Sequence, residues 1–163
     1  MFTIVKDFRQ EIVIEKSRFI CTLKKVNSEA EAQEFIKAIK KEFWDATHNC
    51  SAYIVDEMAQ RSSDDGEPSG TAGLPMLEVL RKNKLTKTAA VVTRYFGGTL
   101  LGTGGLVRAY TAAALGALQG ANIITYDIYA SMKVSVSYSD YQKIVSKFSE
   151  MGFFTEDTKY ADN

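Results

Sequence analysis

The sequence predicts an α+β fold, one main domain followed by a shorter second unit. Two observations carry that expectation. Runs with apolar residues at every second position alternate with runs at helical spacing. The chain is also 163 residues long, one ordinary domain with a remainder, and 45% of it is hydrophobic.

Residues 11–26 interleave Ile12, Ile14, Phe19, Cys21 and Leu23 with polar side chains, as a strand pair or one long bent strand does. Ser28 opens a capping box with Glu31 reaching back. Ala32, Phe35, Ile36, Ile39 and Phe43 then make 28–44 an amphipathic helix, with Lys37, Lys40 and Lys41 on its outer side. Residues 46–56 read as the next strand. Residues 57–73 are nearly free of apolar side chains and long for a connection, which marks a functional loop. Leu74, Leu77 and Leu80 return at helical spacing, with Pro75 in the first turn. Residues 88–96 form a buried strand, 97–105 a glycine-rich loop, and 106–119 a helix ended by Gly120.

From 123 to 138 the pattern is strand-like, with Met132, Val134, Val136 and Tyr138 alternating. Ser139 and Gln142 make a second capping box. Tyr141, Ile144, Val145 and Phe148 share a helix face, Gly152 ends that helix, and 153–160 read as a last strand. A boundary near 128–130 divides the chain into domains 1–129 and 130–163. The tail is too short to bury a core of its own.

Composition excludes several classes. Lys+Arg and Asp+Glu are 20 each, so the formal net charge is zero. Split at Ala130, the count is 16 basic against 15 acidic residues before it and 4 against 5 from it onward. A protein that coats nucleic acid by bulk charge is excluded, and any such role rests on a local patch. The chain is too apolar for disorder. Cys21 and Cys50 lie in apolar surroundings and read as buried thiols. Charges run through the first twenty residues and no stretch is long and apolar enough to span a bilayer, so a soluble, cytoplasmic protein with no membrane partner is expected.

Four constellations bear on chemistry. Gly97, Gly98, Gly102, Gly104 and Gly105 fall within nine positions between a strand and a helix. Backbone N–H groups at such a place suit an anion, and flanking Arg94 and Arg108 favour that over glycines kept only for tight turns. The run from Arg61 through Ser62, Ser63, Asp64, Asp65, Glu67 and Ser69 gathers carboxylates and hydroxyls. It suits acid–base work or a cation, or else a solvated turn-forming loop. His48, the one histidine, stands two residues before Cys50 and reads as a structural histidine. Arg81, Lys82, Lys84 and Lys87 suit a helix C-terminus, and with Lys16 and Arg18 would make a phosphate-contacting face.

Several blocks resemble the IMPACT family, in its bacterial YigZ and YvyE type. They are Lys16-Ser17-Arg18-Phe19-Ile20, Ala46-Thr47-His48-Asn49-Cys50, residues 61–77, residues 91–102 and Gly104-Gly105-Leu106-Val107-Arg108-Ala109-Tyr110. The resemblance runs over roughly residues 10–125. It implies a first domain like the second domain of small-subunit ribosomal protein five, a fold also found in elongation factor G and the GHMP kinases. It further implies a ferredoxin-like second domain, of which this sequence carries only the first β-α-β. Eukaryotic relatives regulate translation by competing for the activator of a nutrient-sensing kinase, a partner not carried over to a bacterial-type chain.

The leading expectation is a non-enzymatic, translation-linked binding module contacting RNA or a ribosome-associated partner. Its anion or nucleic-acid contacts would be Arg18, Arg61, Ser62, Ser69, Arg94, Gly97, Gly98, Gly102, Gly104, Gly105 and Arg108. One alternative is an enzyme acting on a phosphorylated or anionic small molecule, with Asp64, Asp65 and Glu67 as its catalytic carboxylates. Another is a protein–protein docking module. No cofactor or metal is implied, and the oligomeric state stays open.

Overall fold

Alternating side chains pair into one antiparallel sheet in the computed structural model, which describes residues 1–125, 127 and 129–160. Its strands are β2 (Phe8–Ile14), β3 (Ser17–Lys25), β4 (His48–Ile54), β5 (Gln60–Ser63) and β6 (Thr88–Tyr95), in the order β2-β3-β6-β4-β5. The strand β1 (Phe2–Ile4) pairs antiparallel with β7 (Ile123–Thr125) in a separate two-stranded ribbon. Among the described residues four helices complete the fold: α1 (Glu29–Glu42), α2 (Gly73–Lys82), α3 (Gly102–Gly120) and α4 (Tyr138–Glu150). The α+β class stands.

The period of two sends alternate residues to opposite faces. One face carries Phe19, Cys21, Leu23, Cys50, Ala52, Ala90 and Val92, buried beneath α2 and α3. Met76, Leu77 and Leu80 from α2 and Leu106, Tyr110, Ala113 and Ala117 from α3 fill that core, where the Phe19 and Tyr110 rings meet edge to face at 5.3 Å. The other face carries Tyr53, Ala89 and Val91 under α1, whose Ala32, Phe35 and Ile39 close a second core.

Half of the expected capping box of α1 forms: Ser28 Oγ accepts from Glu31 N–H, while the Glu31 carboxylate reaches one residue further back and accepts from Asn27 N–H. Pro75 sits in the first turn of α2 as expected. Residues 11–26 are a strand pair rather than one bent strand. Glu15 and Lys16, both at positive φ (47° and 65°), turn the chain between β2 and β3.

Other expectations change. The stretch 57–73 is not all loop, because Gln60–Ser63 joins β4 as the edge strand β5. An edge strand of mostly exposed polar residues lacks the apolar alternation that reveals a buried one. The glycine loop is shorter than expected, since α3 starts at Gly102 and takes three of the five glycines into its first turn. Leu106, Ala109 and Tyr110, all buried, outweigh the poor helix propensity of those glycines.

Chain packing groups the residues into Met1–Asp127 and Ile128–Asn163; Ile128, where the expected boundary begins, lies outside the described residues. In the second unit the helix forms with Ser137, not Ser139, at its N-cap position, where the Ser137 hydroxyl donates to Asp140 Oδ2 at 2.6 Å and caps no backbone N–H. Gly152 at φ 82° ends it as expected, and Phe153 N–H bonds back to the Phe148 carbonyl. The described residues of 129–137 and 153–160 are not strands. A strand needs a hydrogen-bonded neighbour, and among the described residues neither segment has one. The second segment instead folds along α4, bringing Phe153 to Phe148 and Tyr160 to Tyr141. Among the described residues no helix is long and apolar enough to cross a membrane.

Candidate functional site

Sheet register assembles the site. His48 pairs with Arg94 and Arg94 with Phe19, so all three stand in one row at the end of the α2/α3 face. Above this row a cleft of about 410 Å³ opens between the loop after β5 and the start of α3. His48, Glu67 and Arg94 line its floor; Pro68, Phe96, Leu100, Leu101 and Leu106 supply apolar walls.

Arg94 is only 5% exposed, and a buried guanidinium needs an opposite charge. Glu67, itself 8% exposed, supplies it at 2.6 Å. Glu67 Oε1 also accepts from Tyr110 Oη at 2.8 Å, so one carboxylate ties the loop to β6 and to α3. The Arg94 guanidinium lies 5.5 Å from the Phe19 ring centre and 5.7 Å from that of Phe96. The Cys50 thiol donates to the Asp64 carbonyl at 2.9 Å, and burial pushes it up to about 12. Burial likewise pushes the Cys21 thiol up to about 12 and raises the Tyr110 phenol. Both cysteines are thus inert buried thiols, as expected.

The acidic loop divides its work. Asp64 accepts from the N–H groups of Gly70 (2.8 Å), Ala72 (3.0 Å) and Gly73 (2.8 Å), and so caps the N-terminus of α2 from outside the helix. Burial raises this carboxyl, but the three backbone bonds outweigh it and hold the group below its ordinary value of 3.8. Asp65 accepts from Asn49 N–H at 2.7 Å and pairs with Lys40. Both aspartates hold the loop in place. Only Glu67 of the three expected catalytic carboxylates lines the cleft.

The expected anion contacts separate by face. Arg18 and Arg61 are on the α1 side, bonded to Glu11 and Glu29, away from the cleft. Arg61 pairs across the ladder with Tyr53 and Arg18 with Tyr95, and cross-strand partners share a face. Ser62 stands on β5 opposite Ala52, and Ser69 lies exposed in the loop. The basic run 81–87 leads into Thr88, which opposes Lys25, whereas Arg18 opposes Tyr95. The run and Arg18 therefore lie at opposite ends of β3 and form no common face.

Around the glycines the geometry is tight at one position and open at the next. A Cβ on Gly97 would lie 2.0 Å from the Lys16 carbonyl carbon, so only glycine fits where β6 leaves the sheet. Ser17 Oγ accepts the Gly97 N–H at 3.1 Å. Gly98 (φ 86°) and Gly102 (φ 68°) have left-handed backbones with open space around them. Leu101 gives α3 no side-chain cap, and the first turn holds no acidic residue. A Cβ on Gly104 would sit 3.5 Å from Arg108 Nη1, which places that exposed guanidinium over the same turn.

Sequence reasoning missed His48, Thr47, Phe96 and Leu100 as site residues. His48 is held as a structural histidine on one side only: Nδ1 is 2.8 Å from the Asp65 carbonyl oxygen while the ring lines the cleft. The signal was its place in the strand, since His48 and Cys50 share a face and β4 pairs with the strand of Arg94.

The family model for the Impact N-terminal domain matches residues 15–118. The IMPACT family member YvyE of Bacillus subtilis is 50% identical over 164 residues, which cover 99% of this chain and 76% of that protein. The family member YigZ of Escherichia coli is 46% identical over 101 residues, 60% of this chain and 50% of that one. A solved crystal structure of a hypothetical protein matches with a TM-score of 0.72 and 31% identity, over 98% of this chain and 80% of that chain.

Proposed function

The chain belongs to the IMPACT family, and from that premise we propose that it is a translation-linked binding module that takes single-stranded RNA at the mouth of the cleft. The observation that carries the reading is the bare N-terminus of α3: glycines at 102, 104 and 105, no cap, no acid in the first turn, and Arg108 over it. Free N–H groups and the positive end of the helix dipole favour a phosphate there. Phe96, 46% exposed beside this turn, offers a base a stacking surface. The link to translation rests on the family resemblance.

An enzyme built on Asp64 and Asp65 has less support, because both carboxylates are engaged in holding the loop. Arg94 is not a free anion contact either, since Glu67 neutralises it. The phosphate ligands in this reading are therefore backbone N–H groups and Arg108.

A fluorescein-labelled eight-nucleotide single-stranded RNA, followed by anisotropy, tests the proposal. Two or three phosphate contacts predict about a five- to twentyfold loss of affinity from about 50 to 200 mM salt. Arg108→Glu is expected to weaken binding about tenfold and to flatten the salt dependence. Absence of binding at low salt, or affinity indifferent to salt and to Arg108→Glu, overturns it.

A further inference from the structure

With the His48 ring neutral, the floor of the cleft presents two hydrogen-bond acceptors side by side. A carbonyl oxygen can only accept, so the contact of His48 Nδ1 with the Asp65 carbonyl puts the proton of the neutral ring on Nδ1. Nε2 then offers a lone pair. It stands 3.9 Å from Glu67 Oε2, the carboxylate oxygen that takes no part in the bonds to Arg94 and Tyr110. Glu67 is more than nine-tenths buried yet lines the cleft. Oε2 faces the open cleft beside Nε2, and a ligand with two adjacent donors would satisfy both acceptors at once.

The walls narrow the class of that ligand. Phe96, Leu100, Leu101 and Leu106 suit a flat, apolar-faced ring, and about 410 Å³ suffices for a nucleobase. The four bases differ at their Watson–Crick edges. Guanine presents a ring N–H beside an exocyclic amino group, two donors next to each other. Adenine and cytosine each present one amino group beside an acceptor nitrogen, and uracil one N–H between two carbonyls. Only guanine fills two neighbouring acceptors without setting an acceptor against the carboxylate.

We infer that His48 Nε2 and Glu67 Oε2 form a guanine-reading pair, which receives the base of an unstacked nucleotide from the RNA bound at α3. This rests on the RNA reading above and adds sequence preference to it. A site built to accept two hydrogen bonds discriminates strongly against a base that cannot donate them.

The test uses labelled pentanucleotides identical except for a central G, A, C, U or inosine, which keeps the ring N–H and lacks the amino group. Guanine is expected to bind about tenfold or more tightly than the other three standard bases, with inosine between. His48→Ala should bring the G-to-A ratio towards one. Glu67→Gln should do the same, and His48→Ala keeps the test valid should Glu67→Gln fail to fold. Equal affinity for all five oligonucleotides overturns the guanine inference and leaves RNA binding intact. Where no oligonucleotide binds at low salt, the RNA reading fails, and guanosine and adenosine are titrated alone against the ring proton signals of the single histidine. A shift with guanosine only supports the pair, and no shift with either overturns it.

Discussion

The helices α2 and α3 lie against the same face of the sheet, yet they begin in opposite ways. The N-terminus of α2 is closed by Asp64, whose carboxylate takes N–H bonds from Ala72 and Gly73. The N-terminus of α3 has no side-chain cap and no acid, only glycines and a nearby arginine. Both ends carry the same partial positive charge and the same unpaired donors. At α2 the protein supplies the anion. At α3 it leaves the place open, and the proposed RNA site depends on that difference.

Glu67 belongs to the same loop as Asp64 and ties it to β6 and to the middle of α3, so its loss is expected to have the largest effect. Glu67→Ala leaves Arg94 buried without a counter-charge and should lower unfolding free energy by about 3–5 kcal/mol in urea titration. The double variant Glu67→Leu with Arg94→Met should recover most of that, because an apolar pair needs no counter-charge. A small loss in the single variant would mean that the pair does not hold the loop to β6.

Next in size is the closed end itself. Asp64→Ala should cost about 2 kcal/mol, a lost cap with N–H groups left unpaired. Its pH dependence has a definite sign. The folded-state value lies below the ordinary one, so the stabilisation is complete above about pH 4–5 and is lost as pH falls through the folded-state value. Wild type should therefore lose more stability than Asp64→Asn between pH 5 and acid, by urea midpoints. Equal acid sensitivity would show that Asp64 does not cap α2 in solution.

The smallest effect is expected at the open end. Thr103→Asp, an exposed position in the first turn, should stabilise by about 0.5 kcal/mol while weakening RNA binding about tenfold. A thermal melt and the anisotropy assay read the two quantities separately. Destabilisation would mean that the terminus already has an anionic partner.

Much of this frame was legible in the sequence, for reasons tied to particular residues. The capping box at Ser28 and Glu31 and the alternation of Phe19, Cys21 and Leu23 are local signals, and the structure keeps them. Residues 97–105 announced an unusual strand-to-helix passage, although the helix starts inside them. Contacts at a distance were not legible. Arg18 and Arg61 look like neighbours of the glycines only until register places them under α1. Glu67 looked like one acid among three, and its difference comes from facing Arg94 and Tyr110, 27 and 43 positions away. The strands of the tail failed as expectations because a strand needs a neighbour, which alternation alone cannot supply.

The ribbon of β1 and β7 has a consequence for the order of events in folding. Phe2 opposes Thr125 and Ile4 opposes Ile123, so the two ends of the first unit are zipped to each other. During synthesis Ile4 emerges long before its partner Ile123. The ladder therefore closes the unit's longest loop, and closure entropy places it late. The N-terminal segment, although Thr3 and Ile4 end fully buried, must wait for nearly the whole unit before it is held on both sides.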